Sequence, residues 1–294
     1  MKRAIILPTC WYGEASDFLA GLNTPQSRYF IIPLCESFGP DPRSYLPFVE
    51  EKMILNQAES AMIVLPASFA CGDKIDFWPS IIQKKTGGNW ICSVFFADCW
   101  QCVAQALEDL SMDKNTSNKT HLTCQYQPDY TEMLALYEHQ IGQPYHPGDY
   151  FKPDILHAIS LMEGNWLYWG HGEGDKLRGY SQLDTVDLLS NKCRYPLNST
   201  LWFTCSTLDR DFPENIALAW YQSGATKCLL ASPYKINTKA NVFLSRRWVS
   251  CAVKKGKRTI ASLILELLEE DSVAMEKVLN KYFLLGIPWV EGNL

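Results

Sequence analysis

Two short apolar runs in this chain end in a side chain able to act as a nucleophile or a proton carrier. Trp166-Leu167-Tyr168-Trp169 leads into Gly170-His171-Gly172, and Leu201-Trp202-Phe203-Thr204 leads into Cys205-Ser206. Both runs have the length and aromatic content of strands. In an open α/β sheet, parallel strands deliver their last residues to one edge, where ligands bind, so His171 and Cys205 are expected to meet there. Only the thiolate form of cysteine is a strong nucleophile; a neighbouring imidazole takes the thiol proton and later hands it to a leaving amine. Such a pair suits acyl transfer. Negative charge then builds on the carbonyl oxygen, and the Gly172 and Cys205 amides lie in turns suited to an oxyanion hole. Glycines on both sides of His171 permit a tight turn and close approach of a substrate backbone. The plainer alternative is a satisfied buried histidine and a packed thiol.

A second group of reactive residues competes with the first. Cys99-Trp100-Gln101-Cys102 follows the apolar run Ile91 to Phe96 and opens a helical pattern, the position of a redox dithiol. With His121 and Cys124 the same cysteines spell C-x2-C and then H-x2-C, an acceptable ligand spacing for structural zinc, against which stands a set of ordinary buried thiols. Acidic residues are abundant around the expected His171–Cys205 site. Asp149, Glu173 and Asp175 are the substrate-binding candidates, with Asp209 also in reach, and their sign favours a basic substrate residue. Glu132, Glu138 and Asp149 are candidates for orienting His171.

The elements that must position these residues follow from periodicity. Strands are expected over Ala4 to Leu7, Tyr29 to Leu34, Ala61 to Leu65 and Trp90 to Phe96, joined by helices near Ser16 to Leu22, Tyr45 to Gln57, Phe77 to Lys84 and Trp100 to Leu110. This alternation implies a parallel sheet covered on both faces. Residues 113–127 are polar and lose periodicity, so they read as a linker between an N-terminal α/β subdomain, 1–112, and a catalytic domain, 128–294. In the second unit a helix is expected from Tyr130 to His139, then a Gly/Pro-rich loop, a helix from Pro153 to Met162 and the two site strands. A further helix is expected to open at Asp211-Phe212-Pro213-Glu214 and to close at Gly224. Thr259 and Asp271 suit the N-caps of later helices.

Composition narrows the function classes. The chain has 294 residues, of which 47% are hydrophobic and 20% charged, with a net charge of −5. No basic block beyond the short cluster Lys254, Lys255, Lys257 and Arg258 invites nucleic acid. No apolar run is long enough to span a bilayer, and the brief apolar stretch after Lys2 and Arg3 reads as a first strand rather than a leader. Eleven cysteines, an odd number, several within apolar stretches such as Cys35, Cys92 and Cys228, favour reduced thiols and a cytoplasmic location.

The run Tyr168-Trp169-Gly170-His171-Gly172, followed by Phe203-Thr204-Cys205-Ser206, resembles the signature of the caspase-like cysteine peptidases, with the gingipain family and CHAT-type peptidases nearest. Gly224 to Pro233, Lys255 to Ala261 and Phe283 to Pro288 continue the resemblance, which covers roughly residues 150 to 290; Ile287 stands where gingipains carry an aspartate. The resemblance implies a caspase-like α/β fold, an open and mainly parallel sheet flanked by helices, preceded by a smaller α/β subdomain. It implies His171 as general base and acid, Cys205 as nucleophile, the Gly172 amide in the oxyanion hole, and no metal or cofactor. The expected activity is that of a cysteine endopeptidase acting on a protein or peptide substrate, with a protein partner as candidate activator and with neither nucleic acid nor membrane as partner. A catalytically silent interaction domain, or a zinc or dithiol protein centred on Cys99 and Cys102, are the alternatives.

Overall fold

A computed structural model describes residues 2–24, 28–35, 37–38, 41–112, 119–254 and 258–292. The first part of the chain contains β1 (Lys2–Pro8), α1 (Tyr12–Leu22), β2 (Arg28–Leu34), α2 (Pro42–Leu55), β3 (Ser60–Leu65), β4 (Ile82–Lys85), β5 (Gly88–Phe96) and α3 (Trp100–Met112). Next come β6 (Thr120–Cys124), α4 (Pro128–Ile141), β7 (Gln143–Tyr145), α5 (Lys152–Ser160) and β8 (Asn165–Trp169). A small antiparallel sheet of β9 (Gly172–Glu173), β10 (Lys176–Leu177) and β11 (Leu183–Asp184) precedes α6 (Thr185–Ser190), β12 (Ser199–Phe203), α7 (Ile216–Gln222) and β13 (Cys228–Ala231). The chain continues through α8 (Thr238–Ala252), α9 (Ile260–Glu270), α10 (Ser272–Leu279) and β14 (Phe283–Gly286).

Among the described residues, eleven strands join in one sheet ordered β2-β1-β3-β5-β14-β13-β12-β8-β6-β7, with β4 hairpinned onto β5. This is the expected α/β architecture. Apart from the antiparallel β4–β5 hairpin, pairing is parallel within each half, and the halves run in opposite directions because β14 is parallel to β5 but antiparallel to β13. Strands β3, β6, β8, β12, β13 and β14 are buried along their whole length, as strands covered on both faces must be.

Alternation along each strand feeds two separate cores. Trp169 and Phe203 join α1, α3, α4, α8, α9 and α10 on one face through residues such as Leu19, Val103, Met133, Leu244, Leu263 and Met275. Tyr168 and Trp202 join α2, α5, α6 and α7 on the other through Val49, Ile155, Leu188 and Leu218. Trp166 makes edge contacts with Trp202 and Trp220, and its indole N–H donates to Thr123 Oγ1 at 2.7 Å. The site strands are therefore held on both faces, and a large apolar side chain removed from either core costs about 3–5 kcal/mol.

Several expectations are corrected. Residues 120–124, read as part of a linker, form β6, registered against β8 from Thr120↔Asn165 to Cys124↔Trp169. Its Thr, His and Thr residues disguise it as polar, yet Thr123 Oγ1 donates to the Leu167 carbonyl and His121 bonds Tyr145 and the Glu163 backbone, while Thr120 Oγ1 is buried with no partner among the described residues. Residues 113–118, the rest of that stretch's polar start, lie outside the described residues, as do Lys255 and Lys257. No helix occupies Phe77 to Lys84; a 3-10 turn, Gly72–Phe77, and then β4 stand there, because Thr86-Gly87-Gly88 turns the chain into a hairpin and both glycines adopt positive φ. The helix expected from Asp211 begins at Ile216, where Asn215 caps it by accepting from the Leu218 amide. Thr259 and Asp271 cap α9 and α10 as expected. Cys35 is exposed, whereas Cys92 and Cys228 are buried.

Candidate active site

Strands β8 and β12 are neighbours, parallel and in register from Ser199↔Asn165 to Phe203↔Trp169. His171 and Cys205 each lie two residues beyond the last registered pair, so the two chains leave the sheet level with one another. Both side chains are half-buried and line one cleft of about 590 Å³, together with Gln125, Glu173, Arg178, Asp209, Phe212 and Lys235.

The turn after His171 presses against the loop that carries Cys205. A Cβ added at Gly172 would come within 2.5 Å of Thr207 Cγ2 and 2.7 Å of the Cys205 carbonyl oxygen, and the latter, being backbone, cannot swing aside. Glycine is required there for closeness rather than for its φ. The Cys205 thiol donates to the Gly172 carbonyl at 3.7 Å. Directly after it, Ser206 holds φ 52°, a left-handed conformation uncommon for a residue with a side chain, and its N–H donates to the Tyr234 carbonyl. The strand therefore ends in a sharp turn that leaves Cys205 facing the cleft.

Two amide donors are free of the secondary structure. The Arg178 N–H donates to the His171 carbonyl, which makes Gly172 and Leu177 a non-hydrogen-bonded pair of the small sheet and leaves the Gly172 N–H outside the ladder. Among the described residues the Cys205 N–H has no acceptor either. His171 is fixed from two sides. Its backbone N–H donates to Gln125 Oε1 at 2.8 Å, and the buried Tyr130 ring packs edge-on against the imidazole with centroids 5.7 Å apart.

The acidic candidates are not gathered as expected. Glu173 lines the cleft but pairs with Arg178 and with Lys176, and Asp175 turns to Lys176 at 3.8 Å. Asp149 lines a separate hollow with Tyr126, Gln127 and His146. Glu132 pairs with Arg246, and Glu138 with His139 and His146. Among the described residues no side chain hydrogen-bonds the His171 ring, so none of the three orienting candidates reaches it. Gln125, which sequence reasoning missed, follows β6 directly; recognising β6 as the neighbour of β8 would have placed it beside His171. Phe212 and Lys235 arrive from loops after β12 and β13, and no local pattern marks them.

The four zinc candidates do not assemble. Between β5 and β6 lie four strands, a separation of about 24 Å at the usual interstrand spacing. Cys99 and Cys102 also follow β5 on the edge opposite to that where β6 ends, and Cys124 is buried, its thiol pushed up to about 12 by desolvation. One cluster with ligand-like geometry, Cys251 with Glu266 and Glu270, is occupied by the Lys254 ammonium at 2.5 and 2.8 Å from the two carboxylates. No helix among the described residues is long and apolar enough to cross a membrane.

These features define a caspase-like α/β architecture. The solved structure of gingipain R, an Arg-specific cysteine proteinase, superposes on it with a TM-score of 0.71 at 14% identity, over 99% of this chain and 78% of that one. The complex of the Porphyromonas gingivalis RgpB pro- and mature domains gives 0.70 at 13% identity, over 99% and 79% of the two chains. The Saccharomyces cerevisiae separase–securin complex gives 0.53 at 10% identity, over 84% of this chain and 17% of that one. At these identities the likeness is one of fold. No family model matches the sequence, and no curated protein matches it.

Proposed function

We propose that this chain is a cysteine endopeptidase that cleaves a protein or peptide substrate through a Cys205 acyl-enzyme. The observation that carries the reading is the level exit of two adjacent parallel strands, which sets His171 and Cys205 around one cleft with two unengaged amides beside them. The fold shared with gingipain R supports the same class of chemistry. In the first half-reaction His171 takes the thiol proton, the thiolate adds to the scissile carbonyl, and the Gly172 and Cys205 N–H groups receive the oxyanion. Collapse breaks the C–N bond, and the imidazolium protonates the departing amine. Water, deprotonated by His171, then opens the thioester and regenerates Cys205. Apart from the substrate and this water, residues of this chain supply every group in that sequence.

Glu173, Asp175 and Asp149 lose their charge argument for a basic residue before the cut, since the first two are already compensated and the third lies elsewhere. Within the proposal, Asp209 takes that role: it lines the cleft and has no basic partner among the described residues. One observation favours the alternative of a silent interaction domain, namely that among the described residues no side chain hydrogen-bonds the His171 ring. A pH series of limiting alkylation, read by peptide mass spectrometry, separates the two. For a working dyad Cys205 labels well below ~8.5, the range of a free thiol, and His171→Ala removes that advantage. An inert Cys205 together with no cleavage of a peptide library that samples Arg, Lys and neutral residues before the cut leaves only the silent domain.

A further inference from the structure

The other half of the sheet ends in chemistry of its own. Cys99 stands at the N-terminal boundary of α3, and Cys102 lies one turn into the helix. Their sulfurs are 3.3 Å apart, little more than 1 Å beyond the ~2.05 Å of a disulfide bond. Neither thiol is enclosed: Cys102 is exposed and Cys99 half-buried. The residues around them, by contrast, are pinned. Trp100 is 4% exposed and packs edge-on against Phe18, Gln101 donates to Glu14 at 3.0 Å, and Asp98 accepts from the Ala67 amide at 2.9 Å. A rigid turn thus presents two touching thiols to solvent. The thiols are also unequal. Hydrogen bonds from the Cys102 thiol and from the Cys102 and Gln101 amides hold Cys99 below the ordinary thiol range, while the same contact with Cys99 raises Cys102. Among the described residues no third His, Cys, Asp or Glu completes a ligand set with them. The arrangement is a dithiol rather than a metal site.

We propose that Cys99 and Cys102 form a thiol–disulfide exchange site whose substrate is an accessible disulfide, with Cys99 attacking and Cys102 resolving. The Cys99 thiolate adds to one sulfur of R–S–S–R, the S–S bond breaks, and the first thiolate leaves. Cys102 then attacks the Cys99 sulfur of the mixed disulfide, and the second thiolate departs with the proton that Cys102 gives up. The first thiolate takes a proton from solvent to replace the one Cys99 had lost. Two protein thiols are oxidised to one disulfide while one disulfide is reduced to two thiols, so the electrons balance without another reactant. The site lies on the opposite sheet edge from His171 and Cys205 and does not depend on the peptidase reading.

The test exposes the reduced full-length chain to oxidised glutathione in one series and to insulin, as a protein disulfide, in another, with acid trapping and peptide mass spectrometry. The expected product in at least one series is the Cys99–Cys102 disulfide, and the series that yields it identifies the source of the substrate. In Cys102→Ser, Cys99 accumulates as a mixed disulfide; in Cys99→Ser, Cys102 reacts roughly tenfold more slowly than Cys99 does. The proposal is overturned if the pair stays reduced in both series while the exposed Cys10 and Cys35 take up glutathione. Equal reaction rates in the two serine variants overturn it as well, since they leave no attacking thiol distinct from a resolving one.

Discussion

The two halves of the sheet offer equivalent positions and fill them differently. Beyond the last registered pair of β3 and β5, Leu65↔Phe96, the residues two further along are Ala67 and Asp98, and they are tied by a hydrogen bond from the Ala67 amide to the Asp98 carboxylate. Beyond Trp169↔Phe203 of β8 and β12, the corresponding residues are His171 and Cys205, and they open onto a cleft. Parallel neighbours in register bring two loops together in both cases. Which residues stand there decides whether the meeting point is a structural tie or a reactive pair. The glycine after His171 matters as much as the pair itself, because it removes the side chain that would hold the loops apart.

The sharpest way to break this comparison is at the reactive end. Cys205→Ala should lower peptide cleavage by at least ~10⁴-fold with the thermal midpoint nearly unchanged, measured as kcat/KM on a library-derived substrate. Gly172→Ala should cost about 10²-fold in the same assay and about 1–3 kcal/mol of stability in urea unfolding, since the added methyl pushes the His171 turn away from the Cys205 loop. Unchanged kinetics in that variant would show that the close approach is irrelevant to the chemistry.

At the structural end, Asp98→Ala should cost about 1 kcal/mol of stability and nothing in peptide cleavage. A histidine comparison yields the smallest effect. Burial, the main cause, holds the His121 ring below its ordinary value of 6.5, so the folded chain keeps it neutral where the unfolded chain binds a proton. Its contribution is present in full above ~6.5 and is lost as pH falls from there toward the lowered folded value. Urea midpoints between pH ~7.5 and ~5.5 should decline on acidification, and His121→Asn should flatten that decline.

How far the sequence could be read depended on how polar atoms are satisfied. Strands with uninterrupted apolar residues, such as Trp166 to Trp169 and Leu201 to Phe203, declared themselves, and the residues ending them identified the cleft. β6 did not, because its Thr123 hydroxyl and its imidazole find partners through Trp166, Leu167, Tyr145 and Glu163, residues distant in sequence. With β6 unrecognised, Gln125 was lost too. The acids failed as indicators for the same reason: Glu173 and Asp175 were legible as charges, whereas the neutralising Arg178 and Lys176 are a matter of hairpin register. Phe212 shows a third kind of failure. Pro213 mimics a helix start, while the Asn215 cap defers the helix to Ile216 and leaves Phe212 on the cleft rim.

Strand β14 bridges the halves, paired with β5 on one side and β13 on the other, yet it follows every other strand among the described residues. During synthesis both halves emerge before the element that joins them, so each waits with an unpaired, largely apolar edge until Phe283 to Gly286 leaves the ribosome. Those two edges are the places where a nascent or prematurely stopped chain would pair with the wrong partner. Ribosomal pausing shortly before that segment would lengthen the hazard, and a chaperone guarding it would recognise an open sheet edge rather than an unfolded chain.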